Sequence, residues 1–510
     1  MYLALSLVLS FFYWFSLHQF ELEKLKGKIL LVLVLSGFIQ AVIGLLQYFG
    51  LFKILPIPPT ESIIYGSFQQ KNVFSSFLAT CMASGVVLLS FYRRNLPLFI
   101  RYAVYLALVV ISIAWLLAFS RAGYIGFALF LLLFFLLKKW ISYKVDKAIL
   151  ISIVIGILLG FALIKIVPPK FSENPYKFLT EDKVSSNMQR ILMYRVSLKM
   201  FEENPIFGIG IGNYPAEYAK YQEQVLKENP KLKKYAANAV SHPHNEILKI
   251  FAESGIFGVL SLVVLFYGVI KLLIFLWKSH REYTVFLLLL VPIGFHLLVE
   301  YPTELSILHK VVFLTLFALA SYPYSYEKQV RYPFLYFSLS TGFIVVFSFL
   351  LFKTFQAYKG LNKYMINYVR TQTIDVSLIS PALDNVYLQV PAERLFLATA
   401  LQTVLKKKQL SKDDIKFLIE FVKWSDITYQ QFASKQILVN EIEALIKLGE
   451  ATGNIQFLDE AMRLAERGEK MYPNDKIWRK IKSRIIAKAF SKMFERLKDE
   501  PTKKTDRTAP

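Results

Sequence analysis

The chain of 510 residues contains one cysteine, Cys81, and it falls in an apolar run. A single thiol excludes a disulfide framework and a thiolate metal site within one chain. No charged residue precedes Glu21, so the first apolar segment lacks the basic flank of a cleavable signal. The HExxH pattern of helix-borne zinc ligands is missing: His242 and His244 stand two apart, and no second His or Cys cluster lies near them. The glycine run FGIGIGN at 207–213 is GxGxG rather than GxGxxG and follows Asn204-Pro205, not a strand, which excludes a dinucleotide loop. It reads instead as a tight return of the chain against a membrane surface.

What the sequence does have is apolar length. Hydrophobic residues make up 55% of the chain and the mean hydropathy is +0.43. Runs of roughly 20 apolar residues, enough to cross a bilayer core, recur near 2–18, 28–50, 72–91, 98–118, 122–140, 147–167, 247–277, 283–300, 304–322 and 332–354. The fold class is therefore all-α, a polytopic membrane protein of about ten transmembrane helices. Basic residues cluster in alternate short loops: Lys24, Lys26 and Lys28; Arg93, Arg94 and Arg101; Lys138, Lys139, Lys144 and Lys147; Lys278 and Arg281; Lys328 and Arg331. The positive-inside bias puts these on the cytoplasmic side. The segments around 51–70, 119–123, 168–246 and 301–303, and everything after about 355, then face outward. On this reading the chain begins outside, or helices that would precede it are missing.

Three parts follow: a membrane domain over 1–355 with a long outward loop at about 168–246, a soluble helical domain over 356–498, and a disordered tail at 499–510. The run LDEAMRLAERGEKMYPNDKIW has the alanine spacing and turn of one tetratricopeptide-type helix, and an irregular helical hairpin domain fits it as well. The net charge of +23 is spread over cytoplasmic loops and outward segments, where it meets anionic headgroups or phosphates. It does not argue for nucleic acid.

Polar chemistry gathers on the outward side. In SHPHNEILKIFAESGIFG, from Ser241 to Gly258, Pro243 suits a first helical turn. His244, Asn245 and Glu246 are expected in that turn, with His242 just before it. A helix N-terminus carries partial positive charge and free N–H groups that favour an anion. A neutral imidazole beside an anion site is equipped to act as a general base toward a phosphorylated donor. Arg121 sits in the very short turn of LLAFSRAGYIGF, where the positive-inside bias calls for no cation. Arg190 and Arg195 lie in the long loop, and the planar guanidinium fork suits diphosphate oxygens. Gln70 and Asn72, with Gly66, Gln69 and Lys71, start another span, where their amides can cap the helix or hydrogen-bond sugar hydroxyls. His296 and Glu300, four apart, read as a pair on one helix face.

Four stretches in this order resemble the O-antigen ligase and O-antigen polymerase superfamily, which includes pilin-type O-oligosaccharyltransferases. They are YGSFQQKN, SRAG, QRILMYRVSLKMFEENPIFGIGIGNY and HPHNEILKIFAESGIFG, and they extend over about 60–320. The resemblance implies a metal-independent, inverting glycosyltransferase of the bacterial inner membrane that works at the periplasmic face without a cofactor. Its donor would be a glycan on undecaprenyl diphosphate. His244 would deprotonate the acceptor, while Arg121 and Arg190 would hold the diphosphate. His242, Asn245, Gln70, Asn72 and Arg195 would bind substrate. The lack of an Asp-x-Asp motif on the outward side fits chemistry without a metal. Lipid A-core is the favoured acceptor, ahead of a protein hydroxyl or a growing glycan, and membrane lipids surround the spans. A polysaccharide transporter is the rival of a different class; it calls for polar groups near span centres.

Overall fold

The computed structural model describes residues 20–51, 64–167, 183–326 and 333–499, less 69, 142, 144, 238, 239, 386, 387, 432 and 433, together with a few positions before residue 20. Most of the expected 2–18 span, Gln69, Lys144, the 168–182 part of the long loop, the Lys328 and Arg331 loop and the 500–510 tail lie outside the described residues. All regular structure among the described residues is helical. The chain divides into two compact units, one made of 1–184, 243–250 and 257–337, the other of 185–242, 251–256 and 338–510.

The first unit holds α1 (Leu22–Tyr48), α2 (Lys71–Phe91), α3 (Leu98–Leu117), α4 (Arg121–Leu136) and α5 (Lys147–Ile166). Most of α8 (Glu246–Ser279) follows, then the short α9 (Thr284–Leu288) and α10 (Val291–Leu297), and α11 (Ile307–Tyr326). Between α5 and α8 run α6 (Lys183–Glu203) and α7 (Tyr214–Glu228), which belong almost wholly to the second unit. Among the described residues, six helices are long and apolar enough to cross a membrane: 22–48, 71–91, 98–117, 147–166, 246–279 and 307–324. The expected span at 122–140 is the shorter apolar α4. The one at 283–300 is broken into α9 and α10, because Pro292 and the turn at 289–290 interrupt the hydrogen-bond ladder. The one at 332–354 opens α12 (Pro333–Thr371).

Small residues let these helices approach closely. A Cβ at Gly37 of α1 would lie 2.4 Å from that of Cys81 on α2, and one at Gly156 of α5 would lie 2.4 Å from the Val109 carbonyl oxygen on α3. Helices in hydrocarbon associate by such packing, since lipid offers no hydrophobic drive between them. The central helix α2 is almost wholly buried, whereas α8 exposes nearly all of its apolar surface.

Contacts among the basic loops place four of them at one end of the unit. The Lys26 ammonium lies over the rings of Tyr283 (5.0 Å) and Tyr92 (5.9 Å). Arg93 pairs with Asp146 at 2.9 Å, Tyr105 donates to Asp146 at 2.6 Å, and Arg281 lies over Trp140. The hydrogen bond from Tyr105, ahead of the Arg93 charge, holds the Asp146 carboxyl below its ordinary value. Phe91 closes α2 at this end, and Lys71 opens it about 30 Å away at 1.5 Å per residue. Four of the five basic loops expected on one side thus gather at one end of the unit.

In the second unit, α6 and α7 share a core of Leu192, Val196, Met200, Tyr214, Tyr218 and Tyr221. The helices after α12 are α13 (Val376–Leu383), α14 (Gln389–Leu405), α15 (Lys412–Gln431), α16 (Lys435–Thr452), α17 (Gln456–Met471) and α18 (Ile477–Asp499). Consecutive hairpins of α16, α17 and α18 bury Leu438, Ile442, Ala461, Ala465, Trp478 and Ile481 in one core. The alanines and Gly468 allow this, since a Cβ at Gly468 would strike the Trp478 ring at 2.5 Å. The long loop and the tail join in the same unit: Ala219 of α7 enters that core, Gln222 donates to the Met471 carbonyl at 3.0 Å, and Asn474 donates to the Lys233 carbonyl at 3.0 Å.

Candidate functional site

Three helix N-termini from distant parts of the sequence meet at the end of the first unit opposite its basic loops. The first belongs to α2. Gln40 and Gln47 stand seven apart on one face of α1 and grip the Tyr65-Gly66-Ser67 turn. The Gln47 amide oxygen accepts from Tyr65 N (3.0 Å) and Gly66 N (2.9 Å), and its nitrogen donates to Gly66 O (2.8 Å). Gln40 accepts from Ser67 N at 3.0 Å. Gly66 takes φ +60, a conformation that suits glycine. The turn delivers Gln70 as the extended N-cap residue of α2, with Asn72 two residues on.

The second and third N-termini share one design. Phe119 (φ +47) precedes the N-cap Ser120, whose hydroxyl accepts from Gly123 N and which opens α4 at Arg121. His244 (φ +54) precedes the N-cap Asn245, whose side chain accepts from Leu248 N and which opens α8 at Glu246. Left-handed backbone at non-glycine residues is sparsely populated and collects at functional sites. The expectation that Pro243, His244 and Asn245 lie in the first turn is corrected: the helix starts after them, because Asn245 is extended at φ −162.

These termini are joined through Glu300, which is buried. The His244 Nδ1 lies 3.0 Å from Glu300 Oε2. Asn72 donates to Glu300 Oε1 at 3.3 Å, and Gln70 donates to Oε2 at 3.5 Å. The Ser120 hydroxyl donates to Asn72 Oδ1 at 2.8 Å. The chain of contacts therefore runs from His244 through Glu300 and Asn72 to Ser120, the residue before Arg121. Arg121 is exposed, and no side-chain partner engages it among the described residues. The His244 side chain is about one third exposed, with the ring of Tyr301 set edge-on at 5.9 Å. Asn245 also donates to the Leu298 carbonyl at 3.1 Å, so both ends of its amide hold structure.

Glu300 is the residue that sequence reasoning underrated. Read as one half of a helical pair with His296, it faces Gln70, Asn72 and His244. His296 Nδ1 sits 2.7 Å from the Ser76 hydroxyl, which also lies 3.0 Å from His309 Nε2, deeper in the unit. The available signal was position: Glu300 lies at the end of an apolar run, beside Tyr301-Pro302.

The remaining candidates lie in the second unit. His242 is buried there, and Arg190 is half-buried on α6. Arg195 donates to Asn229 Oδ1 at 2.8 Å. The glycine run is no nucleotide loop. Its backbone is stitched to α8: Ile209 N donates to Ala252 O (2.9 Å), Gly210 N to Glu253 O (3.1 Å), and Ile256 N to Pro205 O (2.8 Å).

Comparison with known proteins gives one finding. Residues 106–263 match a family model described as O-Antigen ligase, a stretch that contains Arg121, Arg190, Arg195, His242, His244 and Asn245. Gln70, Asn72 and Glu300 lie outside the matched stretch. No curated protein and no solved structure matches the chain.

Proposed function

We propose, from the match of residues 106–263 to an O-Antigen ligase family model, that the chain transfers an oligo- or polysaccharide from undecaprenyl diphosphate to an acceptor hydroxyl at the periplasmic face of the bacterial inner membrane. The observation that carries this reading is the convergence of His244, Glu300, Asn72, Gln70 and the Ser120–Arg121 turn at one end of the membrane unit.

The chemistry follows from the residues. With Nδ1 3.0 Å from Glu300, His244 would take the proton of the acceptor O–H on Nε2. The oxygen then attacks the anomeric carbon from the face opposite the diphosphate. A new C–O bond forms as the bond to the diphosphate breaks, so configuration inverts and undecaprenyl diphosphate departs with one more negative charge. The buried carboxylate stabilises the imidazolium made in that step, as the acidic partner of a catalytic histidine does elsewhere. Arg121, exposed at the start of α4, and Arg190 on α6 are the cations assigned to the departing diphosphate. The positive end of α4 adds to Arg121. Gln70 and Asn72, His242, Asn245 and Arg195 complete the substrate contacts in this reading.

Lipid A-core is the first acceptor, a protein serine or threonine the second, and a growing glycan the third. The helical tail, tetratricopeptide-like in its alanine spacing, would position the acceptor. Purified protein in proteoliposomes, given a polyprenyl-diphosphate glycan and each acceptor in turn, decides among them. Transfer to one acceptor that survives EDTA is expected. Glycan appearing inside sealed vesicles with no covalent transfer would replace this reading with a transporter.

A further inference from the structure

The glycine run poses a separate question. Its neighbours Ile206, Phe207 and Ile211 are 57%, 72% and 61% exposed, among the most exposed large apolar side chains of the second unit. A frayed tip would leave them so by accident, but this segment is firmly built. Gly208, Gly210 and Gly212 all take positive φ. A Cβ on Gly208 would lie 2.4 Å from the Glu253 carbonyl carbon, and one on Gly255 would lie 2.5 Å from the Ile206 carbonyl oxygen. The three backbone bonds to Ala252, Glu253 and Ile256 add to this, and the Glu253 carboxylate accepts from Tyr214 N at 3.3 Å. The three apolar side chains are held outward by design of the backbone.

We propose that this loop is a membrane wedge, with Ile206, Phe207 and Ile211 inserted among the acyl chains of the bilayer where α8 enters it. The helix to which the loop is bonded identifies the occupant. α8 is kinked at Gly255, which takes φ +59 and ψ −142, so its straight stretch runs from Ile256 to Ser279, about 36 Å of helix against a hydrocarbon core of about 30 Å. The turns before the kink therefore stand outside the spanning stretch, and the loop is bonded at the kink itself, to Ala252, Glu253 and Ile256. That is the boundary where headgroups give way to hydrocarbon. From Phe257 onward α8 exposes Leu260, Val263 and Val264, the apolar face of a stretch long enough to cross a bilayer. Exposed apolar patches of this kind mark lipid or protein contacts. The proposal rests on α8 as a span and is independent of the glycan chemistry.

The test uses the full chain in phosphatidylcholine–phosphatidylglycerol proteoliposomes. Cys81 is the sole cysteine and is buried, so Ile211→Cys carries a single environment-sensitive fluorophore. Lys227→Cys, on an exposed side chain of α7, is the aqueous reference. Expected at position 211 are a blue-shifted emission, quenching by lipids spin-labelled near the top of the acyl chain, and loss of quenching by iodide, with the reverse at 227. Quenching by iodide at 211 equal to that at 227 overturns the wedge. Protection from both quenchers overturns it as well, since protein would then be the cover. Phe207→Cys repeats the readings at a second exposed position, so one misfolded variant does not decide the matter.

Discussion

Replacing Glu300 by glutamine keeps the shape of the side chain and removes its charge, which isolates what the carboxylate does for His244. At 3.0 Å, a unit charge interacting through an effective dielectric of about 20 is worth about 5 kcal/mol. That is an upper bound on what the imidazolium loses when the proton arrives. A second effect has the same sign. The glutamine amide can present its N–H to Nδ1, which puts the ring proton on Nε2, the nitrogen that must be free to accept. Misassigned tautomers of catalytic histidines cost several orders of magnitude elsewhere. A fall in kcat of about 10²–10⁴, or about 3–5 kcal/mol in barrier, is expected with little change in KM. Single-turnover transfer in proteoliposomes, at several donor concentrations, measures both. Since Asn72 and Gln70 also bond this carboxylate, thermal unfolding of the variant is run alongside. A correctly folded Glu300→Gln protein with kcat within about two-fold of wild type would refute the role given to the carboxylate.

Other consequences can be read from single side chains. On α16, burial first, then Asp426 and Glu460, raise the Glu441 carboxyl to about 7, and Arg467 offsets only part of this. The folded state then holds a proton that the unfolded state has released, so this group makes stability fall as pH rises from about 4.5 to about 7. Glu441→Gln should stabilise the protein by up to about 3 kcal/mol at pH 8 and by almost nothing at pH 4; equal unfolding midpoints of variant and wild type at pH 8 would contradict it. Gly255→Ala puts a Cβ against the Ile206 carbonyl at φ +59 and should cost at least about 2 kcal/mol, seen as faster amide exchange over 205–213. Gln47→Leu strands the Tyr65 and Gly66 N–H groups in a buried place and should lower stability by about 2–5 kcal/mol while loosening the start of α2; unchanged unfolding would count against the Gln47 clamp.

The all-helical class was legible because apolar runs of span length need no partner to be recognised. So was the grouping of four of the basic loops, since Lys26 lies over the rings of Tyr92 and Tyr283, Arg281 over that of Trp140, and Arg93 pairs with Asp146. The broken stretch at 283–300 was less readable: its composition is apolar throughout, and the breaks come from Pro292 and local turns. The site was half legible. Histidine and arginine announce themselves at outward turns, and Gln70 and Asn72 were marked by their place before a span. The hub was not, because Glu300 lies more than 200 residues from the amides that donate to it, and spacing within its own helix suggested His296. The start of α8 was misplaced by three residues, as a cap residue and the proline before it both resemble a first turn.

The measurement that bears most directly on the account is single-turnover glycan transfer by His244→Ala, reconstituted and verified for correct membrane insertion. The account predicts loss of product to the level of protein-free vesicles, with donor still bound. Transfer at a rate near that of wild type would contradict it, for the proton would then leave the acceptor by another route and the convergence on Glu300 would have no catalytic meaning.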